Sequence, residues 1–158
     1  LAGEQFRAQA GIDLLHIPYK GGPPAMNDVL GGQVPMMFNN LPAILPMVKS
    51  GKLRALAVAT PQRSRLLPDV PTMEEAGFKG YVSTVWNGVY VRAGTPRAAV
   101  ERLNRDIVAA LGSAELRGSL EAQGFDLIPT TPEQLGQLGQ TDSVRWGAVV
   151  KASGATID

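Results

Sequence analysis

The chain has 158 residues, enough for one domain or two small ones, and its hydrophobic content of 44% is typical of a protein that buries a core. A net charge of +1 supplies no broad basic surface, which argues against nucleic acid or an anionic membrane as a partner. The absence of cysteine excludes disulfides, thiol catalysis and cysteine-ligated metals, and no apolar run reaches the length of a membrane span.

The first sixty residues alternate between helix-like and strand-like segments. Helices are predicted over residues 1–10, 23–30 and 41–51. Strands are predicted over residues 13–19, 34–40 and 53–60. Glycines follow the helices, and the last strand is nearly all apolar, as in a parallel sheet that is covered on both faces. This alternation is typical of a doubly wound α/β sheet.

The alternation ends after residue 60. Residues 61–80 are a proline-rich connection with one short helix predicted near 72–76. Residues 81–94 form a long strand-like run rich in valine and aromatic residues, which we interpret as a strand crossing between two packing units. The remaining predictions are an amphipathic helix over 96–113, a helix over 114–123, a strand over 125–129 and a helix over 132–152 with Thr131 as its N-cap.

The residues at and just after the ends of the first two predicted strands form the candidate ligand site. They are Tyr19, Lys20, Gly21, Gly22, Phe38 and Asn39. Ligands bind beyond the carboxyl ends of the strands in open α/β sheets, so we expect both segments on one rim that faces a shared cleft. The N–H groups of Gly21 and Gly22 at a helix start favour a small anion. A plain strand-to-helix turn with a solvated Lys20 fits the same residues equally well.

Other polar and aromatic residues have a structural explanation beside the functional one. Asn40 precedes a helix and is assigned mainly to capping. His16 lies in an apolar strand, where a packed, hydrogen-bonded core histidine is expected. Phe38 is more often a core residue than a ligand wall, and Trp86 fits a cleft and a core about equally. No set of nucleophile, base and orienting residue, and no metal-ligand set, can be assembled from the sequence.

Five stretches of the chain resemble one protein family. They are YKGG-x-x-A, DVLGGQVPMMFNN, GKLRALAV, R-x-x-LLPDVPT-x-EEAG and AGTPRA-x-V-x-x-LN. In this order and spacing they resemble the Bug family, the periplasmic solute-binding receptors of tripartite tricarboxylate transporters. The similarity runs through essentially all 158 residues and implies a periplasmic location.

The resemblance implies a Venus flytrap of the periplasmic-binding-protein type, in which two α/β domains joined by crossing strands close on a small solute. It implies a receptor that delivers an organic acid or an amino-acid-like carboxylate to a membrane permease, and not an enzyme, a cofactor site or a metal site. The loop from Tyr19 to Gly22 and the pair Phe38 and Asn39 then supply one wall of the cleft, and Trp86 lies at the crossing.

The resemblance also divides the chain into domains. Residues 1–82 correspond to most of solute-binding domain 2, which is doubly wound. Residues 83–94 correspond to the crossing strand and hinge, and residues 95–158 to the C-terminal part of domain 1.

Two departures from the family pattern change what the resemblance implies. Members commonly have Phe-Asp-Asn where this chain has FNN at 38–40, so an amide replaces a carboxylate and a preference for ligands that bear an amine is no longer expected. The family's first half, whose strands pair with those near 84–91, 125–129 and 155–157, has no counterpart here. We therefore expect a fragment, which either pairs with a second copy in a homodimer or domain-swapped assembly or belongs to a longer chain.

An α/β enzyme that acts on a small anion is the second hypothesis. Its base would have to be His16, Glu74 or Glu75, and the two glutamates are expected on a helix surface. Turnover of a carboxylate would favour the enzyme, whereas stoichiometric binding with domain closure would favour the receptor.

Overall fold

The structure, a computed structural model, describes residues 1–154. In this range the helices are α1 (Ala2–Ala10), α2 (Gly22–Leu30), α3 (Leu41–Lys49), α4 (Arg97–Gly112), α5 (Ala114–Ala122) and α6 (Pro132–Ser153). Each of them was predicted from the sequence, and the predicted ends differ from the observed ends by at most two residues.

The helix ends follow local chemistry. After α1, Gly11 adopts a φ of 64°, and its N–H donates to the carbonyl of Arg7, which is a left-handed glycine cap. Before α6, Thr131 Oγ1 accepts the N–H of Gln134 at 3.2 Å, and Gln134 Oε1 accepts the N–H of Thr131 at 2.9 Å. This reciprocal pair is a capping box, and it confirms Thr131 as the N-cap of α6.

The short helix predicted near 72–76 is wrong, because residues 73–77 form turns. Thr72 and Glu75 do make the reciprocal pair of a helix start. The N–H of Glu75 donates to Thr72 Oγ1 at 3.1 Å, and the N–H of Thr72 donates to Glu75 Oε2 at 2.8 Å. Gly77, with a φ of 102°, leaves the helical region two residues later, so the first turn does not propagate.

The predicted strands form no ladder in the part of the chain that the structure describes. The strand predictions within these residues are therefore wrong. An isolated parallel bridge joins Val58 and Thr72. In it, the N–H of Val58 donates to the carbonyl of Pro71 at 2.8 Å, and the carbonyl of Val58 accepts from Met73 at 2.9 Å. Apolar patterning indicates which residues seek burial, but a ladder also needs neighbouring backbone in register. The strand implied near 155–157 lies outside the described residues.

The described residues divide into two compact units, and the first comprises residues 1–85 and 149–154. Its buried side chains are Leu45, Thr72, Met73 and Tyr81. Tyr81 is 1% exposed, and its hydroxyl donates to the carbonyl of Ala2 in α1 at 2.8 Å. Burial raises the pKa of this phenol to about 12. The core of the first unit therefore draws on α3 and the segment around 72–81, which Tyr81 ties to α1.

The second unit comprises residues 86–148, and no side chain within it is buried. Helix α4 packs against α5, and Asn104 in α4 donates to the carbonyl of Thr130 at 2.8 Å. Leu103, an apolar residue of this amphipathic helix, is 45% exposed. The division of the chain into domain 2, hinge and domain 1 that the resemblance implies stays a prediction.

Candidate functional site

The loop that begins at Tyr19 leads directly into helix α2. Gly21 is the N-cap of α2, with a φ of 106° and a ψ of 178°, a backbone conformation that favours glycine. The helix begins at Gly22, and its first turn contains Pro23 and Pro24, which have no N–H to donate. The backbone donors at this helix start are therefore concentrated at the glycine pair.

The second segment of the candidate site contacts this helix start at Asn39. A Cβ placed on Gly22 would lie 3.4 Å from Asn39 Nδ2 and 3.6 Å from Asn39 Oδ1. The absence of a side chain at position 22 thus leaves room for the half-buried amide of Asn39 beside the first turn of α2. The structure brings these two segments together, and their role in binding stays a prediction.

The amide of Asn39 has a defined orientation. Its Oδ1 accepts the N–H of Asn40 at 2.8 Å, which leaves Nδ2 as the donor end of the side chain. Asn40 is the N-cap of α3, but its side chain makes no capping hydrogen bond, so the expected capping by that side chain is wrong. The N–H of Ala43 in the first turn of α3 donates instead to the backbone carbonyl of Asn40, at 3.1 Å.

Phe38 belongs to an aromatic cluster that includes a residue of α1. Its ring centroid lies 5.8 Å from that of Phe6, and the Phe6 centroid lies 4.9 Å from that of Phe78 in an edge-to-face arrangement. Phe38 also covers Gly3 in α1, where an added Cβ would lie 3.6 Å from the Phe38 ring. The Phe38 side chain nevertheless keeps 37% of its surface exposed, so part of it is available to a ligand.

The remaining predicted residues have separate surroundings. Lys20 is exposed on the loop before α2. His16 is also exposed, so the expected core histidine is wrong, because segment 13–19 has no ladder that would bury it. Trp86 belongs to the second unit, where its indole N–H donates to Asp142 Oδ2 at 2.6 Å. This bond engages the only polar atom of the Trp86 side chain and leaves the ring surface for other contacts.

One residue beside the site was not predicted from the sequence. Asp28, in the second half of α2, accepts the hydroxyl of Tyr19 at 2.7 Å. That hydrogen bond, together with desolvation and the negative charge of Asp28, raises the pKa of Tyr19. The pair is hard to foresee because the two residues are nine positions apart and meet through the path of the loop. The available signal was an acidic residue near a helix C-terminus, where the helix dipole disfavours it.

Neither a membrane span nor a metal cluster is found in the part of the chain that the structure describes. Helices α1 to α6 lack the combination of length and hydropathy that a bilayer span requires. Histidine, aspartate and glutamate side chains do not gather there in groups of three or more that could hold a metal ion.

Comparison with known proteins assigns the chain to a family. The family described as tripartite tricarboxylate transporter family receptor matches residues 1–155. The chain belongs to this receptor family. Protein BugT of Bordetella pertussis is 38% identical over 157 residues, which are 99% of this chain and 48% of BugT. The resemblance to Bug receptors is therefore confirmed.

Solved structures similar to this tripartite transporter receptor chain support the fold class. Rpa4515 of R. palustris, solved with adipate, has a TM-score of 0.89 at 33% identity and matches 97% of this chain and 51% of its own. MatC of Rhodopseudomonas palustris, solved with bound malate, has a TM-score of 0.80 at 31% identity and matches 94% of this chain and 52% of its own. The chain thus shares the fold of the matched half of these two binding proteins, and it spans about half the length of BugT and of both solved structures.

Proposed function

We propose that this chain is part of an extracytoplasmic receptor that captures a small carboxylate-bearing metabolite for a tripartite tricarboxylate transporter. Its membership in the receptor family supports the general role. The adipate of Rpa4515 and the malate of MatC support a small dicarboxylate as the ligand class. Because the chain spans about half of these proteins, the activity, the substrate and the permease partner of the complete receptor all belong to the proposal.

The observation that carries the proposal is the contact between Gly22 and Asn39. The N–H groups of the Gly21–Gly22 pair lie at the start of α2, where the helix dipole favours an anion. Asn39 adds the donors of its Nδ2, which lies 3.4 Å from the Cβ position of Gly22. Backbone and amide donors from two chain segments therefore lie close together at the N-terminus of α2, an arrangement that suits one carboxylate group.

The proposed site includes four other residues. Tyr19 and Lys20 belong to the same loop, and the ammonium group of Lys20 adds a positive charge that attracts an acid. Phe38 contributes the exposed part of its ring. Trp86, in the second unit, is included on the family resemblance alone, and it would offer ring surface rather than its N–H, since Asp142 already accepts that N–H.

The proposal includes the architecture and setting of the complete receptor. Residues 1–82 form most of a doubly wound domain 2, residues 83–94 the hinge, and residues 95–158 the C-terminal part of domain 1. The receptor works in the periplasm, docks on a membrane permease, and binds its ligand without turnover. A homodimer or domain-swapped assembly of this chain is a separate hypothesis. Light scattering tests it, and a mass of 16.7 kDa in solution would exclude it.

NMR titration of the ¹⁵N-labelled 158-residue chain with adipate and with malate tests the binding site. We expect saturable shifts of the backbone N–H signals of Gly21 and Gly22 and of the side-chain amide of Asn39. Adipamide, which has the length of adipate but no charge, is the matched ligand control and should leave these signals in place. Shifts confined to other residues, or none, would contradict the proposed site, and signals of a new product would favour the enzyme hypothesis.

Substitution of Asn39 adds a second test of the same site. Asn39→Ala should weaken adipate binding about tenfold or more, because a hydrogen bond to a charged group contributes about 1.5 to 3 kcal/mol. Asn27→Ala removes an exposed asparagine from α2 and is the matched control, which should bind like the unmodified chain. If the two variants bound adipate with equal affinity, Asn39 would not be part of the binding site.

A further inference from the structure

We propose that Asp28 is a positioning residue, which holds the hydroxyl of Tyr19 and so fixes the loop from Lys20 to Gly22 in the conformation that receives the ligand carboxylate. The inference rests on the proposed function. It adds a residue that touches no ligand in this scheme and acts through Tyr19. The observation behind it is the hydrogen bond of 2.7 Å from Tyr19 Oη to Asp28 Oδ2.

The loop needs such a restraint because of its composition. Gly21 and Gly22 have no side chains that could pack, and glycine backbone has more conformational freedom than that of any other residue. Gly21 adopts a φ of 106°, one of several conformations open to it. The prolines that follow offer no N–H, so the few donors of the loop bind an anion well only if their directions are fixed.

The hydrogen bond from Tyr19 to Asp28 links the chain segments on either side of this loop. Tyr19 lies immediately before the loop, and Asp28 lies six residues beyond Gly22 in α2, about 9 Å farther along the helix axis. One hydrogen bond therefore connects the entry of the loop to the rigid helix that follows its exit. Its carboxylate acceptor makes it a charge-assisted bond, which is stronger than one between neutral groups.

Asp28 also holds the segment that leads to the other half of the site. Its backbone carbonyl accepts the N–H of Gln33 at 2.9 Å and that of Val34 at 3.3 Å. Residues 33 and 34 begin the segment that continues to Asn39. The side chain of Asp28 thus restrains the loop before α2, and its carbonyl restrains the chain after it.

Helix stability does not explain an aspartate at this position. Helix α2 ends at Leu30, so the carboxylate lies in the last turn, near the negative end of the helix dipole. Acidic residues there destabilise a helix, and the hydrogen bond to Tyr19 is the contact that offsets this cost. The raised pKa of Tyr19 is consistent with a phenol proton held by a carboxylate.

A set of variants of the 158-residue chain separates positioning from a general structural role. Tyr19→Phe and Asp28→Ala should each weaken adipate binding about tenfold, and the double variant should be no weaker than either single variant, because both remove the same bond. Asp28→Asn keeps an oxygen that accepts from Tyr19 and should restore most of the affinity. Tyr90→Phe, at a tyrosine that is 66% exposed in the second unit, is the control and should bind normally.

A second readout does not depend on ligand. Heteronuclear ¹H–¹⁵N NOE values of Gly21 and Gly22 should fall in Asp28→Ala and Tyr19→Phe, stay high in Asp28→Asn, and stay high in Tyr90→Phe. If the unmodified chain bound neither adipate nor malate, the proposed ligand site would fail while this readout still decided the role of Asp28. Additive losses in the double variant, an Asp28→Asn chain as weak as Asp28→Ala, or unchanged NOE values would each overturn the inference.

Discussion

The two units of the chain differ most clearly in what they bury. The first unit buries Leu45, Met73 and Tyr81, with exposed fractions of 3%, 7% and 1%. In the second unit no side chain is buried, and Ile128 and Val144 are 76% and 79% exposed. Both units contain well-formed helices, so the difference lies in packing rather than in secondary structure.

This difference shows that amphipathic helices alone do not make a core. The second unit holds its helices by local interactions, such as the capping box of α6 and the ion pair between Arg97 and Glu101 at 2.7 Å. Exposed pairs of this kind contribute little to stability. An apolar helix face gains its main stability from a layer that covers it, and Leu103 on α4 is 45% exposed. We therefore expect the first unit to be the more stable of the two.

The largest effect is expected at Tyr81, in the core of the first unit. Tyr81→Ala removes a ring that is 1% exposed and a hydroxyl that donates to the carbonyl of Ala2. The free energy of opening of the first unit should fall by about 3 to 5 kcal/mol, as for other buried aromatic residues. Native-state hydrogen exchange of the backbone amides of α3 measures this quantity.

The comparison variant is Tyr90→Ala in the second unit. Tyr90 is 66% exposed, so its loss should change the free energy of opening by about 0.5 kcal/mol or less, read from the amides of α6. Similar losses at Tyr81 and Tyr90 would show that the two units are packed alike.

The helices were predictable because their ends depend on neighbouring residues. Gly11 ends α1 through its own left-handed conformation, and Thr131 begins α6 through a partner three residues away. Strands depend on distant backbone. The apolar run at 53–60 predicted a strand, but Val58 finds a single parallel bridge to Thr72. The apolar pattern thus indicated which segments tend to be buried, but it could not predict which backbone segments would pair with them.

The candidate site shows the same limit. The rule that ligands bind beyond strand ends led to Gly22 and Asn39, which do lie in contact in the structure. The hydrogen bond of Tyr19 to Asp28 and that of Trp86 to Asp142 could not be foreseen, because each joins residues through the tertiary path of the chain. The family resemblance supplied the receptor role, which residue chemistry alone left open.

A smaller and sharper comparison uses two threonines in the same local arrangement. Thr72 in the first unit and Thr131 in the second each accept the N–H of the residue three positions later. Thr72 is 4% exposed, whereas Thr131 is exposed to water. Thr72→Ala removes a side chain that is 4% exposed together with the acceptor of the Glu75 N–H, and it should cost about 1 to 3 kcal/mol. Thr131→Ala should cost about 0.5 to 1 kcal/mol, since water replaces the lost acceptor.

Thr→Ser at each position is the matched control, because serine keeps the accepting hydroxyl. Hydrogen exchange near each site, or chemical denaturation with one probe in each unit, gives the two losses separately. A larger loss at Thr131 than at Thr72 would contradict the assignment of the better-packed core to the first unit.

The smallest expected effect is a difference in pH dependence between Glu75 and Glu133. Arg63 Nε donates to both oxygens of Glu75, at 2.8 and 3.1 Å, and lowers the pKa of Glu75 below its ordinary value of 4.5, with help from the N–H of Thr72. Because the folded pKa is below the unfolded one, this stabilisation is fully present above pH 4.5 and is lost as the pH falls through the folded value. Glu75→Gln does not titrate, so its stability should approach that of the unmodified chain in acid.

Glu133→Gln is the counterpart in the second unit. The pKa of Glu133 is also lowered, first by its own backbone N–H and then by Thr131, but its cation Arg97 lies 3.9 Å away. The difference in stability from the unmodified chain, measured from neutral pH to about pH 3, should have the same sign in both variants and a smaller amplitude for Glu133→Gln. Glu74→Gln, at the exposed neighbour of Glu75, controls for the loss of one charge. A Glu75→Gln difference that does not shrink in acid would show that the contact with Arg63 does not stabilise the first unit.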